Sequence, residues 1–170
     1  TVLRILKQYH VPAAFCMVGL QMEKNLPVVK QVFDDGHTIG NHTFTHHNVA
    51  ENSERRTYAE LKLTRMLIES ITGQSTVLFR APYNADSDPT EREEIEPMIL
   101  ASRRNYIFVG ESIDPNDWEV GVTADQIYKR VIDGVHRGDG HIILLHDAGG
   151  STRQPTLTAL PRILNTLQRE

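Results

Sequence analysis

The strongest constraint in this sequence is an alternation between helical periodicity and short, continuously apolar runs. "VLRILKQY" spaces its apolar residues as a helix does, and "VPAAFCMVG" comes next as a buried strand bounded by Pro and Gly. "NLPVVKQVF" returns to helical spacing, with Gly36 where a helix C-cap belongs, and "TIG" is a very short strand. "SERRTYAELKLTRMLIESITG" predicts the longest helix, opened by Ser53 and closed by Gly73, and "VLFRAP" a strand that a proline ends. "DPTEREEIEPMILASRR" reads as helix, with Pro89 at its start and Pro97 as a kink or break. "YIFVG" is then a strand, "TADQIYKRVIDGVH" a helix capped by Thr123, "HIILLHD" a strand, and "QPTLTALPRILNTLQRE" a closing helix despite Pro161. The order is αβ repeated about five times. Such apolar strands arise where helices cover both faces of a parallel sheet, open or closed into a barrel.

The chain of 170 residues predicts one domain, 1–170, with no linker, repeat or low-complexity tract to divide it. A net charge of -4 without a basic stripe argues against nucleic acid as a partner. No apolar stretch approaches the roughly 20 residues that a membrane-spanning helix needs. Cys16 is the single cysteine, so no disulfide forms within the chain, and its apolar surroundings predict an inert core thiol. The opening "TVLRILKQYHVPAAF" has neither an initiator Met nor a leader, and predicts a fragment of a longer precursor.

Polar residues gather where the predicted strands end. His42 and His46 come after "TIG", Arg80 and Tyr83 after "VLF", Asp114 to Trp118 after "IFVG", and His146 and Asp147 after "IILL". In a parallel α/β barrel those ends form the face that carries the chemistry. "HTFTH" separates two imidazoles by four positions, which one helical turn would set on one side. Two neutral imidazoles suit Zn, Co, Ni or Fe, a carboxylate would complete the set, and the plainer alternative is an exposed polar loop. Arg80 leaves a buried strand and needs a carboxylate, structural or catalytic, for which Asp114 and Asp117 are candidates. Trp118 is either core or a wall for a sugar ring. His146 is either a satisfied core histidine or, beside Asp147, an acid-base group.

Taken together and in this order, the stretches resemble the polysaccharide deacetylases, the NodB-homology family also called carbohydrate esterase family four. "HTFTH" is similar to that family's H-(S/T)-x-x-H metal motif, "RAPY" to R-x-P-(Y/F), "DPNDW" to D-x-x-D-W and "LLH" to the closing L-x-H. "VPAAFCMVG" resembles the family's V-P-A-T-F-F-V-V-G strand, and the likeness runs from about residue 1 to the end. It implies a distorted (β/α) barrel and metal-dependent removal of acetyl groups from N-acetylglucosamine polymers such as peptidoglycan, chitin or an exopolysaccharide. It further implies that His42 and His46 bind a divalent metal, zinc or else cobalt or nickel. Tyr83 would supply an oxyanion-binding N–H, His146 would protonate the leaving amine with Asp117 tuning it, and Arg80 would position the catalytic base. Trp118, Leu144 and Pro82 would line the substrate pocket. An extracytoplasmic location is implied by the substrate class.

The family's first motif, T-F-D-D-G-P, supplies the base and the third metal ligand. "FDDG" at 33–36 has the right letters but ends the second helix, where a helix C-terminus disfavours carboxylates, and its Asp35 lies only seven positions before His42. The resemblance therefore places the true motif before Thr1 and a further strand after the last helix. The expected consequence is a truncated barrel that is weakly active or inactive by itself. Alternatives are an O-acetylxylan esterase and a non-catalytic carbohydrate-binding barrel; a serine-triad hydrolase is disfavoured because no G-x-S-x-G elbow occurs.

Overall fold

The computed structural model describes residues 2–84 and 91–170. Its helices are α1 (Val2–Tyr9), α2 (Gly19–Lys24), α3 (Leu26–Asp34), α4 (Glu54–Thr72), α5 (Arg92–Ser102), α6 (Ala124–Arg137) and α7 (Gln154–Leu167). The strands are β1 (Ala14–Met17), β2 (Thr38–Asn41), β3 (Leu78–Phe79) and β4 (Ile107–Phe108). The chain divides into two compact units, one of Pro12–Gly110 and one of Thr1–Val11 with Glu111–Glu170.

The first unit holds a parallel sheet in the order β1-β2-β3-β4. Its register decides which residues leave the sheet together. Met17, Asn41, Phe79 and Phe108 are mutual partners across one row of the sheet. The N–H of the next residue in each of three strands then donates to the carbonyl of the neighbouring row member. His42 donates to Met17 at 3.0 Å, Arg80 to Asn41 at 3.0 Å and Val109 to Phe79 at 2.9 Å. Parallel strands exit in the same direction, so His42 and Arg80 emerge side by side at the C-terminal end of the sheet.

Phe79, wholly buried, centres the core of this unit with Val49, Leu61, Ala81, Ala101 and Tyr106. Its ring meets Tyr106 and Phe108 edge-on at 5.9 and 5.1 Å. Helix α4 begins and ends as its sequence predicts: the Ser53 hydroxyl accepts from the Arg56 N–H, and Gly73 takes φ 73° at the C-cap. Helix α2, "GLQMEK", is not predicted by the apolar periodicity. Helix α5 begins at Arg92, Pro89 lies outside the described residues, and Pro97 neither ends nor breaks the helix. The Pro97 ring is buried, and that packing offsets the hydrogen bond its missing N–H cannot make. Cys16 is only half-buried rather than core, and sits opposite Gly40, where an added Cβ would lie 2.9 Å from its sulfur.

The second unit contains α1, α6 and α7. Ile127, Val131, Ile132, Ala159 and Ile163 form its apolar centre, with Ile143 and Leu145 packed against them. Thr123 and Gln126 close a reciprocal capping box on α6, and Gly138 ends it at φ 77°. "HIILLHD", expected as a strand, gives a single parallel bridge between Ile113 and Ile143. Pairing stops there because the chain curls away after Ile113. The Asp114 carboxylate accepts the Asn116 N–H at 2.7 Å, and Asn116 adopts φ 52°.

Candidate functional site

Each unit carries its own group of polar residues. In the sheet unit, the Nδ1 of His42 lies 2.8 Å from the carbonyl oxygen of Arg80. A carbonyl only accepts, so the neutral ring carries its proton on Nδ1 and keeps the lone pair on Nε2. That is how imidazoles that bind metal are oriented. Residues 42–46 form an irregular loop in which Thr43 takes φ 63° and His46 φ 60°, where a helical turn was expected. The two imidazoles still come together: their ring centres are 4.9 Å apart, nearly perpendicular. The His46 ring also meets the Tyr83 ring at 5.1 Å, and Tyr83 holds φ 61°. His46, His47, Asn48, Glu51 and Tyr83 line a cavity of about 300 Å³.

Arg80 and Pro82 are buried, and the Arg80 Nη1 donates to the Val109 carbonyl at 3.2 Å. Of the two carboxylates named as candidates for Arg80, Asp114 accepts the Asn116 N–H and Asp117 binds His146. His46 and His42 are two nitrogen donors suited to a borderline divalent cation, and so fit part of a metal ligand set. Among the described residues no group of three His, Cys, Asp or Glu side chains is arranged to hold a metal.

Asp34 and Asp35 stand apart from these residues. Asp34 ends α3 and pairs with Lys30 on the surface, while Asp35 is the C-cap and Gly36 turns the chain at φ 83°. His37 is buried, its Nδ1 accepting the Ala13 N–H at 3.3 Å.

In the second unit, Asp117 and His146 form a doubly bonded pair. One carboxylate oxygen accepts from the His146 backbone N–H at 2.9 Å, and the other meets its Nδ1 at 2.7 Å. The Thr156 hydroxyl, in the first turn of α7, donates to the same carboxylate at 2.7 Å. Burial by itself would raise the Asp117 pKa. The hydrogen bonds from the His146 ring, the His146 backbone and Thr156 outweigh it and hold the carboxyl below the usual 3.8. Asp117 is buried while His146 remains partly open, so the pair has a fixed inner end and an accessible outer one. Asp147 is exposed, Trp118 is 53% exposed rather than core, and Leu144 is half-buried, its N–H bound to the Ile113 carbonyl. A cavity of about 370 Å³ beside α6 is lined in part by Arg130, which pairs with Glu119, and by Arg137, which pairs with Asp139.

Four residues that organise these groups are not among those singled out from the sequence. Thr156 and Arg153, which donates to the Asp117 carbonyl at 3.0 Å, lie far along the chain and carry no local signal. Asn41 and Glu60 are buried polar residues on β2 and α4. Glu60 did have a signal: with Thr57, Leu61, Thr64 and Ile68 it falls on the helical stripe that faces inward.

A parallel α/β sheet with imidazoles leaving its C-terminal edge defines the class of domain in which loops at the strand ends carry the chemistry. The chain belongs to the polysaccharide deacetylase family, whose sequence profile matches residues 1–96. Two peptidoglycan-N-acetylglucosamine deacetylases of Bacillus cereus are each 32% identical to it, over 96% and 99% of this chain. The chain spans 56% of the length of one and 75% of the other. The crystal structure of a peptidoglycan N-acetylglucosamine deacetylase superposes on 99% of the chain with a TM-score of 0.87 at 31% identity, 74% of that structure being covered. A family 4 acetyl xylan esterase from Clostridium thermocellum, solved with a cobalt ion, matches 99% of the chain at TM-score 0.79 and 31% identity, with 76% of it covered. A family pseudoenzyme from Bacillus anthracis matches 99% at TM-score 0.82 and 27% identity, with 54% covered. The fold class expected from the sequence, α/β of the polysaccharide deacetylase type, is the one observed.

Proposed function

We propose that this protein removes acetyl groups hydrolytically, with the help of a divalent metal, from N-acetylglucosamine units of a polysaccharide, peptidoglycan first among them. The observation that carries the proposal is the Asp117–His146 pair, a buried carboxylate bound to an accessible imidazole. The Bacillus relatives support the substrate, and the cobalt-bound esterase supports a metal, with zinc as the physiological choice. A cell-wall substrate implies action outside the cytoplasm.

In this reading His42 and His46 present imidazole nitrogens to the metal, and the Arg80 carbonyl keeps the His42 ring in the productive tautomer. When bound, the metal polarises the acetyl carbonyl and lowers the pKa of the attacking water. The Tyr83 N–H donates to the oxyanion, a type of contact worth about 3–4 kcal/mol where one such donor has been removed. His146, its Nδ1 bound to Asp117, delivers a proton from Nε2 to the departing amine. Arg80 would position the catalytic base. Trp118 and Leu144 would line the room for the acetyl methyl, and Pro82 would contribute to substrate binding.

The test is acetate release by the protein carrying this sequence, with zinc or cobalt, from N-acetylated peptidoglycan, chitooligosaccharide and acetylxylan. Release from the glucosamine polymers is expected, and release from acetylxylan alone would overturn the substrate assignment. The pseudoenzyme neighbour favours a second reading, a carbohydrate-binding barrel without turnover. Saturable oligosaccharide binding with no acetate released under any metal would establish it.

A further inference from the structure

The loop between His42 and His46 contains two non-glycine residues in the left-handed region, Thr43 at φ 63° and His46 at φ 60°. Such a conformation costs of order 1 kcal/mol or more per residue and persists only where its surroundings impose it. Those surroundings are polar and buried. One oxygen of the Glu60 carboxylate accepts the Phe44 N–H at 2.8 Å and the Thr45 N–H at 2.7 Å; the other accepts the Thr45 hydroxyl at 2.7 Å. Asn41 accepts the Thr43 N–H at 3.0 Å, and the Thr43 hydroxyl accepts the His46 N–H at 3.1 Å. Asn41 is itself clamped, donating to the Leu61 carbonyl at 2.8 Å and to the Tyr106 hydroxyl at 2.7 Å.

Glu60 is 6% exposed, and the cation that pairs with it among the described residues is Arg56, 3.7 Å away and half in solvent. A buried carboxylate so weakly paired is costly, and satisfying three donors from one short loop is what offsets that cost here. A helix needing only solubility would place this glutamate outward, and one needing only packing would carry leucine there.

We propose that Glu60 is a positioning residue for the imidazole pair: it holds the main chain at residues 44 and 45, and so fixes the separation and aim of His42 and His46 on either side. This rests on the reading of those two histidines as metal ligands. Glu60 touches neither metal nor substrate and acts through the loop alone.

The test compares zinc affinity, by competition with a chromophoric chelator, for wild type, Glu60→Ala, Glu60→Gln and His42→Ala. Hydrogen exchange at residues 44 and 45 and the melt of the metal-free protein are measured alongside. Glu60→Ala should weaken zinc binding about 10–100-fold, the range found when groups that orient metal ligands are removed. It should also expose the two amides to exchange while a cooperative melt is retained. Glu60→Gln should stay close to wild type, since its amide oxygen can accept both N–H groups and its amide nitrogen can donate to Thr45. Wild-type zinc affinity in Glu60→Ala, with zinc lost in His42→Ala, would overturn the role of Glu60 and leave the metal reading standing. Zinc bound equally by His42→Ala would overturn the metal reading and this inference with it. Equal weakening in Glu60→Ala and Glu60→Gln, with the cooperative melt lost in both, would show a requirement for folding only and would also overturn it.

Discussion

Asp117 holds His146 by two hydrogen bonds at once, one to the backbone at 2.9 Å and one to the ring at 2.7 Å. The double attachment fixes both the position of the residue and the rotation of its imidazole and leaves Nε2 outside the pair, the nitrogen that carries the proton in the proposed deacetylation. His146→Ala should therefore lower acetate release by about 10²- to 10⁴-fold, the usual range for a general acid, with bound zinc per protein unchanged. Loss of zinc along with activity, measured by elemental analysis, would assign His146 to the metal instead.

The same carboxylate links stability to pH. The Asp117 pKa is held below its ordinary value, so the stability it contributes is complete above about pH 4. It disappears as pH falls through the depressed folded-state value. Denaturant unfolding between pH 6 and 2 should show a decline in this lower window, and Asp117→Asn should flatten it. Thr156→Val removes one hydrogen bond to the charged group and should cost about 1.5–3 kcal/mol at neutral pH. A Thr156→Val protein as stable as wild type would show that the 2.7 Å contact contributes nothing net.

Asp34 and Asp35 have the letters of a catalytic motif and the setting of a helix terminus. Replacing both with Asn should leave zinc affinity and acetate release as they were, and should shift stability by no more than about 0.5 kcal/mol. A large loss of zinc affinity would return "FDDG" to the site.

Gly19 opens α2 against the ring of Phe44, where an added Cβ would lie 2.2 Å from a ring carbon. The Gly19 and Leu20 N–H groups donate to the Thr43 and Phe44 carbonyls, so the loop is fastened to α2 as well as to α4. Gly19→Ala should cost about 1–3 kcal/mol, as overpacking does, and weaken zinc binding with it. A melting curve and a zinc titration on one preparation check both.

Much of the fold could be read from periodicity and caps. Ser53, Gly73 and Thr123 mark helix ends by local chemistry, and the structure uses them as caps. Pro97 misled because tertiary packing tolerates a proline that local rules would use as a stop. "HIILLHD" misled because apolar continuity measures burial, whereas a strand also needs a partner that stays alongside, and residues 114–117 turn aside. In the site, "HTFTH" could be recognised as a pair of imidazoles, but spacing suggested a helical turn where the chain forms a strained loop. Thr156 was invisible because its partner lies 39 positions away.

Glu60 grips main-chain N–H groups, which every residue except proline possesses. Two of the three positions between the imidazoles are thus held through groups that do not depend on their side chains. Thr45 can drift to most side chains at the loss of one hydroxyl contact, whereas Thr45→Pro removes the N–H itself. Part of what sets the spacing of the two histidines is therefore recorded in Glu60, fifteen residues downstream of Thr45, and of the letters that separate the pair Thr45 is left the freest to vary.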